Sequence, residues 1–188
     1  MTNDELALLL EVANSEQHSG ATLEERIRLL EDLRQISDLV MRYGWLCDAR
    51  RWDEVLDLYT DDFERCLAGT LDECLRGKEA LREVYERPVL PRKGGGADNS
   101  GDVARTSAFQ CRHMIHPPVV RILDDGSRAV AAAVYSLVAS EGEGEAFVRA
   151  EHEGGYIFGF RREPVVGWRF ESMTVISEIA NNPLFKAT

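Results

Sequence analysis

The hydrophobic pattern of this chain changes its period half-way along. From Thr22 to Cys47 apolar residues recur every three or four positions, whereas from Gln110 onward they form long runs separated by turn residues. The first pattern is typical of an amphipathic helix, and the second of antiparallel strands joined by hairpins. Helices followed by such a sheet indicate the α+β class, with the helices packed on one face of the sheet.

The first half of the chain is predicted to be helical apart from one hairpin. Thr22 is the expected N-cap of a long helix, since Glu25 follows at the capping-box spacing. A second helix is expected at 51–59, a short hairpin at 63–76 and a third helix at 77–87. The stripe of the long helix that we expect to face the core comprises Ile27, Leu30, Leu33, Ile36, Val40, Tyr43 and Cys47.

The second half predicts an antiparallel meander of four long strands. They are expected at 110–123, 128–140, 145–162 and 167–180. The runs AVAAAVYSLV and MTVISEIA are apolar at almost every position, whereas a sheet with one wet face would alternate. We therefore expect a strongly curved sheet whose outer face is buried against another subunit, in a homo-oligomer that is a dimer or a trimer.

The 188 residues fit one domain. We predict an N-terminal helical extension at 1–21, a single domain at 22–180 and a tail at 181–188. The segment 88–108 is too rich in Pro, Gly and polar residues for regular structure. A loop of this length is either functional, as a lid, or disordered, and the sequence leaves both open.

Charge and apolar content exclude several partners. Lys and Arg total 22 against 33 for Asp and Glu, a formal charge of −11, which argues against nucleic acid and anionic membranes as partners. No apolar run approaches the roughly 20 residues that span a bilayer, and the start of the chain is acidic. We expect a cytoplasmic protein with reduced, buried thiols at Cys47, Cys66, Cys74 and Cys111.

Asp48 and His113 are the candidates for acid–base chemistry. Asp48 ends the long helix, where the negative end of the helix dipole disfavours a carboxylate. It either makes the turn into the next helix or accepts a hydrogen bond from His113 and so raises the basicity of the imidazole. His116 has the opposite parity on the same expected strand, so only one of the two histidines can face the concave side.

The remaining candidate residues are aromatic residues and His152, and several known catalytic motifs are absent. Tyr43 and Tyr156 could donate hydrogen bonds to a substrate oxygen, although each is also a natural core tyrosine. Trp45, Trp52 and Trp168 are expected in the core. Because His152 and its neighbouring glutamates alternate between the two faces of a strand, they cannot all converge on an ion, and we expect no metal. We also expect no cofactor. Phosphate-binding loops and the signatures of zinc and serine hydrolases are absent.

Four segments together resemble the SnoaL-like branch of the nuclear transport factor 2-like superfamily. They are RYGWLCDARRWDEVLDLYTDDF, RGKEALREVY, RHMIHPPVVRILDDGSRAVAAAVY and GGYIFGFRREPVVGWRF. The superfamily includes scytalone dehydratase, bile-acid dehydratase, hexachlorocyclohexane dehydrochlorinase and ketosteroid isomerase. The resemblance covers about Leu23 to Val175, and it implies a cone-shaped α+β barrel whose helices and bent sheet enclose an apolar pocket.

The resemblance also implies roles for particular residues. In the dehydratase and dehydrochlorinase members, a Tyr and an Asp at the end of the first long helix line the pocket, and a strand His is the general base. Those positions match Tyr43, Asp48 and His113 here. Where many members have a Tyr-x-Asp pattern, this chain has Phe158 and Gly159, and Met173 replaces an arginine of the dehydrochlorinase. These losses of polar groups point to an apolar substrate, with Tyr156, Phe158, Met173 and Trp45 as expected substrate-binding residues.

These inferences predict a cofactor-independent lyase or isomerase of the dehydratase or cyclase type. Its substrate would be a hydrophobic cyclic small molecule: a steroid, polyketide, terpenoid or aromatic compound. Two alternatives remain open at this point. The β subunits of ring-hydroxylating dioxygenases have a similar size and a comparable helix, acidic turn and tryptophan, and they are scaffolds without chemistry. A non-catalytic small-molecule binder would share the same fold, because function lies in the site.

Overall fold

The long helix α1 spans Leu23–Asp48 and begins as the sequence predicts. In this computed structural model, the Thr22 side chain accepts the backbone N–H of Glu25, and the Glu25 carboxylate accepts the backbone N–H of Thr22. The capping box is therefore confirmed. The structure describes residues 22–67, 74–86, 110–123, 126–141 and 148–177. The predicted extension at 1–21, loop at 88–108 and tail at 181–188 lie outside these residues.

The buried residues of α1 all lie in its second half. Ile27 and Leu30 are 48% and 60% exposed, so their place in the predicted core stripe is wrong. Burial begins at Ile36, although Asp32 already contacts the sheet by accepting the indole N–H of Trp168. The buried residues of α1 are Ile36, Leu39, Val40, Tyr43, Gly44 and Cys47.

Two short helices and a hairpin complete the first half. Helix α2 is Trp52–Leu56, strand β1 is Tyr59–Leu67, strand β2 is Leu75–Arg76 and helix α3 is Gly77–Glu86. The predicted hairpin and third helix are confirmed. The second helix is shorter than predicted, because the chain already joins the sheet at Tyr59, which lies opposite Phe170.

Five strands form the rest of the sheet: β3 at Gln110–Ile115, β4 at Val119–Leu123, β5 at Arg128–Glu141, β6 at Val148–Glu163 and β7 at Gly167–Ser177. The first predicted strand is in fact two, because 116–118 contains Pro117 and Pro118, which cannot donate to the ladder. Both β3 and β4 pair with β5. His116 lies in this break, exposed and outside any strand.

The sheet is strongly curved and mostly antiparallel, as predicted, with the order β2-β1-β7-β6-β5-β3. Its parallel pair is β1 with β7. The path ends at β2 and β3, which do not pair with each other, so the sheet is not closed. None of the helices among the described residues is long and apolar enough to cross a membrane.

Aromatic side chains fill much of the concave side. Burial of a large apolar side chain stabilises the fold by about 1.5–3 kcal/mol. Trp168 belongs to this core and donates its indole N–H to Asp32 at 3.0 Å. The fully buried rings are Tyr59, Phe63, Phe158, Phe160 and Phe170.

The expected reduced state is wrong for two of the four cysteines. Cys66 at the end of β1 and Cys74 just before β2 form a disulfide across the hairpin. Cys47 and Cys111 are not disulfide-bonded. The sequence spacing gave no signal for this bond, because only the hairpin register brings the two residues to a Cα–Cα distance of 4.4 Å.

Candidate functional site

Asp48 is the last residue of α1, and its carboxylate contacts strand β3. Its two oxygens accept the backbone N–H of His113, Oδ1 at 3.0 Å and Oδ2 at 3.1 Å. The Asp48 side chain is only 11% exposed. Since a helix C-terminus does not favour a carboxylate, the contact with β3 is what stabilises Asp48 at this position.

The imidazole of His113 makes a further contact with the same carboxylate. His113 Nδ1 lies 2.7 Å from Asp48 Oδ1. An ionised carboxylate only accepts hydrogen bonds, so Nδ1 carries a proton, and in the neutral imidazole the lone pair is then on Nε2. The structure thus brings together the two residues that the sequence singled out, in the tautomer that can accept a proton at Nε2. Their catalytic roles stay a prediction.

Gly44 lets α1 approach β3 closely. It lies one helical turn before Asp48, and a Cβ at this position would lie 3.0 Å from Ile115 Cδ1 and 3.4 Å from His113 Cβ. Both distances are at or below van der Waals contact, so a larger residue would push the strand from the helix. Gly44 therefore allows the close packing of α1 on β3 that positions His113 against Asp48.

The Asp48–His113 pair borders an open cleft of about 610 Å³ at the outer edge of β3. The apolar part of its lining comes from Trp45 and Met114, which are 67% and 51% exposed. Trp45 is therefore not a core residue, contrary to one expectation, and lies where a substrate can reach it. The lining residues are Trp45, Asp48, Ala49, Arg112, His113 and Met114.

Tyr43 lies beside His113 on the inner side of the pair. The ring centroids of the two residues are 6.1 Å apart, and Tyr43 meets Tyr156 edge-on at 6.0 Å. Burial raises the pKa of the Tyr43 hydroxyl well above its usual range, and nearby phenols add to the shift. Burial does the same to the pKa of Tyr156, although a hydrogen bond with Tyr43 partly opposes the rise. Both hydroxyls therefore stay protonated at neutral pH.

The other expected substrate-binding residues do not line the cleft. Phe158 and Met173 are fully buried, and Tyr156 is 4% exposed. All three face the concave side, and Phe158 lies opposite Met173 in the β6–β7 ladder. The structure places these residues, together with Tyr43, in the aromatic core, whereas Trp45, Asp48 and His113 line the cleft.

Three potential metal ligands meet at the same place. One donor atom each of Asp48, Cys111 and His113 lie within 4.8 Å of one another. Tetrahedral zinc ligands stand about 3.3 Å apart, given metal–ligand distances near 2.0–2.1 Å. The 2.7 Å between Asp48 Oδ1 and His113 Nδ1 is shorter and fits a direct hydrogen bond. The residues as placed form a hydrogen-bonded pair rather than an open set of ligands.

The sequence pattern of the SnoaL-like domain family matches residues 28–174. The chain belongs to the SnoaL-like domain family. No curated protein matches this SnoaL-like chain.

Solved structures agree on the fold. A protein of the nuclear transport factor 2-like type with a cystatin-like fold, from Novosphingobium aromaticivorans, is 22% identical, covering 89% of this chain and 97% of its own, with a TM-score of 0.59. A candidate scytalone dehydratase from that organism is 15% identical over 79% of this chain and 85% of its own, also with a TM-score of 0.59.

The β subunit of a candidate aromatic-ring-hydroxylating dioxygenase, again from Novosphingobium aromaticivorans, is 19% identical over 80% of this chain and 91% of its own, with a TM-score of 0.57. Likenesses at these identities establish the fold of the SnoaL-like domain. They leave the chemistry to be argued from the site itself.

Sequence reasoning missed three contributors to the neighbourhood of the site. Gly44 and Cys111 gave no recognisable signal, because their importance depends on how closely α1 and β3 approach. Arg65 was missed although its sequence context held a clue. It is a charged residue at an inward parity between Phe63 and Leu67 on β1 of the SnoaL-like domain.

Proposed function

We propose that this SnoaL-like protein is a cofactor-independent lyase or isomerase of the dehydratase or cyclase type. The observation that supports it is the Asp48–His113 contact at the wall of an open cleft, with Nδ1 and Oδ1 2.7 Å apart. The substrate class is a hydrophobic cyclic molecule: a steroid, polyketide, terpenoid or aromatic compound.

His113 is the general base in this proposal. Its Nε2 removes a proton from a carbon next to a carbonyl, and the electron pair of the broken C–H bond moves onto the carbonyl oxygen to form an enolate. Asp48 stabilises the imidazolium that results and fixes its orientation. In a dehydratase the enolate then re-forms the carbonyl and expels the hydroxyl of the next carbon, which takes the proton from the His113 imidazolium and leaves as water. In an isomerase the imidazolium instead returns its proton to another carbon of the enolate.

Tyr43 is the proposed hydrogen-bond donor to the substrate oxygen. It lies next to His113, and its pKa is raised chiefly by burial, so it donates without losing its proton. A neutral donor aimed at an oxygen that becomes negative stabilises the transition state more than the ground state. Trp45 and Met114 supply apolar contact for the ring system at the cleft.

Proton removal from an activated carbon gives a direct assay. Hydrogen–deuterium exchange at the carbon next to the carbonyl of 2-tetralone is followed by NMR with catalytic protein. We expect His113→Ala and Asp48→Asn to slow the exchange by about 10²-fold or more, the scale of general-base catalysis. His116→Ala is the matched control, since His116 is exposed and outside the cleft. Exchange at the wild-type rate in both site variants would refute the assignment.

A chelator serves as a second control in the same assay. Because His113 and Asp48 act here without an ion, treatment with a strong chelator is expected to leave the exchange rate unchanged. A loss that added zinc restores would instead assign Asp48, Cys111 and His113 as ligands.

The alternative function is that of a non-catalytic scaffold subunit, and the structural likeness to a dioxygenase β subunit supports it. Co-purification with a larger Rieske-type protein would favour the scaffold. Retention of a small molecule without turnover would favour a non-catalytic binder. We further propose that the protein acts in the cytoplasm as a homo-oligomer, on a small molecule rather than on nucleic acid or a membrane.

A further inference from the structure

Arg65 extends into the concave side of the sheet, where the fold otherwise places apolar and aromatic residues. In the parallel β1–β7 ladder it lies opposite Met173, which in turn lies opposite Phe158 on β6. Partners in a ladder share a face. Since Met173 and Phe158 are fully buried on the concave side, Arg65 belongs to the same inner row. It remains only half-buried itself.

Four tyrosines surround this guanidinium within electrostatic range: Tyr43, Tyr59, Tyr85 and Tyr156. They form two linked pairs. Tyr59 and Tyr85 share a hydrogen bond with their hydroxyl oxygens 3.2 Å apart, and Tyr156 is hydrogen-bonded to Tyr43. A cluster of phenols around a guanidinium offers several O–H and N–H donors in one place.

The charge of this cluster is positive at neutral pH. Burial raises the pKa of Tyr43, Tyr59 and Tyr156 well above its usual value, so these phenols are neutral. Burial, the largest influence, acts to lower the pKa of Arg65, but the pKa of a guanidinium lies so far above neutral pH that the group keeps its proton. The guanidinium is therefore charged, and the neutral phenols do not cancel its charge.

Arg65 differs from three other arginines of the sheet. Arg76, Arg128 and Arg161 each pair with a carboxylate, at 2.7, 2.7 and 2.6 Å. Among the described residues, Arg65 has neither an ion pair nor a side-chain hydrogen bond, and no nitrogen of Arg65 is both enclosed and unpartnered. Its nitrogens therefore keep some contact with solvent. A charge held inside a protein without an opposite charge is costly, and a bound anion would remove that cost.

We propose that Arg65, with the tyrosines around it, binds the carboxylate of the substrate, so that the substrate is a cyclic or aromatic carboxylic acid. This inference rests on the proposed function for the position of the reacting carbon. Tyr43 connects the two places, since it contacts His113 on one side and belongs to the Arg65 cluster on the other. An acid group held at Arg65 would orient the ring system toward the Asp48–His113 pair.

The chemistry of the cluster selects a carboxylate over other anions. A guanidinium presents two parallel N–H donors that match the two oxygens of a planar carboxylate. One positive charge neutralises one negative charge, whereas a phosphate dianion would retain a buried charge. The neighbouring aromatic rings suit an apolar body attached to the acid group.

Matched ligands test this inference. Binding of 2-naphthoate and of the neutral 2-naphthamide is measured by isothermal titration calorimetry at neutral pH. We expect naphthoate to bind wild-type protein about tenfold or more tightly than the amide, the scale of one charged hydrogen-bonded contact. Arg65→Met is expected to abolish this preference without weakening the amide. Arg42→Met is the matched control, because Arg42 is exposed on α1.

Thermal unfolding separates binding from a structural role. If Arg65 serves a ligand, Arg65→Met removes an unpaired charge and the melting temperature stays the same or rises. A structural arginine would lose stability on the same change. Should Arg65→Met fail to fold, Arg65→Lys is the second variant, because it keeps the positive charge but lacks the two parallel N–H donors of a guanidinium. It is expected to weaken the binding of naphthoate and not that of the amide.

Three outcomes would overturn the inference: equal affinities for acid and amide, an equal loss of both ligands in folded Arg65→Met, or no saturable binding of naphthoate at millimolar concentration. The proposed function is tested separately, since naphthoate binding by His113→Ala and Asp48→Asn should still depend on Arg65, whereas proton exchange should be lost. If those variants exchange protons at the wild-type rate while naphthoate binding still depends on Arg65, the proposed enzymatic function is refuted and the proposed carboxylate site stands.

Discussion

The carboxylate of Asp48 holds His113 by both its ring and its backbone. Oδ1 lies 2.7 Å from Nδ1, and both oxygens accept the backbone N–H of the same residue at 3.0 and 3.1 Å. The contact joins the end of α1 to the edge strand β3 across 65 residues of sequence. It fixes the strand and the tautomer of the imidazole at once.

Asp48→Asn is predicted to reverse the histidine tautomer. The asparagine amide would donate to Nδ1, so the proton of neutral His113 would move to Nε2 and the base would lose its lone pair. Two-bond nitrogen–proton NMR correlations report the tautomer directly. We expect the Nδ1–H form in wild-type protein and the Nε2–H form in the variant, while His116 gives the same pattern in both. An Nε2–H tautomer in the wild type would contradict the geometry.

Gly44→Ala is predicted to separate stability from activity. Alanine gains up to about 1 kcal/mol of helix propensity over glycine, but overpacking costs about 1–3 kcal/mol. The new methyl would press on Ile115 and on the Cβ of His113, so we expect the Asp48–His113 contact to lengthen and the exchange rate to fall. The melting temperature should change little or drop by a few degrees. Full activity in this variant would show that the close approach is not needed.

The buried tyrosines are predicted to make the fold sensitive to alkali. The folded-state pKa of Tyr43, Tyr59 and Tyr156 is raised, chiefly by burial, above the unfolded value of about 10. Their contribution to stability is complete below that value. It falls as pH rises toward the folded pKa, because the unfolded chain releases these protons first.

An absorbance titration of the phenols, combined with unfolding curves across the same pH range, checks this prediction. We expect part of the phenolate signal to appear only with unfolding. Tyr156→Phe should reduce the loss of stability above pH 10 or so. Ionisation of every tyrosine near its usual pKa with no change in stability would be the opposite result.

The Cys66–Cys74 disulfide predicts how many thiols of the denatured protein can react. Because Cys66 and Cys74 are bonded, denatured protein should show two reactive thiols out of four without reductant, and four with it. Replacing both residues by serine opens a short loop and should cost about 2–3 kcal/mol of unfolding free energy. Reduced wild-type protein should show the same loss. Four thiols without reductant would mean that the bond is not formed.

Exposed apolar residues on the convex face of the sheet, the face away from the helices, predict self-association. Met114, Val119 and Val134 are each about half exposed, and the ladders place them together on that face. We expect Val134→Lys to convert the oligomer to a monomer by light scattering at micromolar concentration. Val166→Lys is the control, since Val166 is exposed in the β6–β7 turn. Monomeric wild-type protein would exclude the proposed homo-oligomer.

Local chemistry decided which parts of the fold could be predicted. The Thr22 capping box, the helical period of α1 and the hairpin signals of the later strands act over a few residues, so they can be seen in sequence. The predictions failed where a distant segment decided the outcome. The second helix stops early because Tyr59 joins β7, and Ile27 and Leu30 are exposed because burial of α1 begins only at Ile36.

The sequence by itself determined the α+β class, the family resemblance and the choice of Asp48 and His113 as candidates, since residue type and spacing carry that information. Only the tertiary structure decided that these two touch, that Trp45 lies at the cleft while Phe158 and Met173 are buried, and that Arg65 lies among tyrosines. Each of these depends on contacts between strands and helices far apart in the chain, and such contacts follow from packing and register rather than from local propensity.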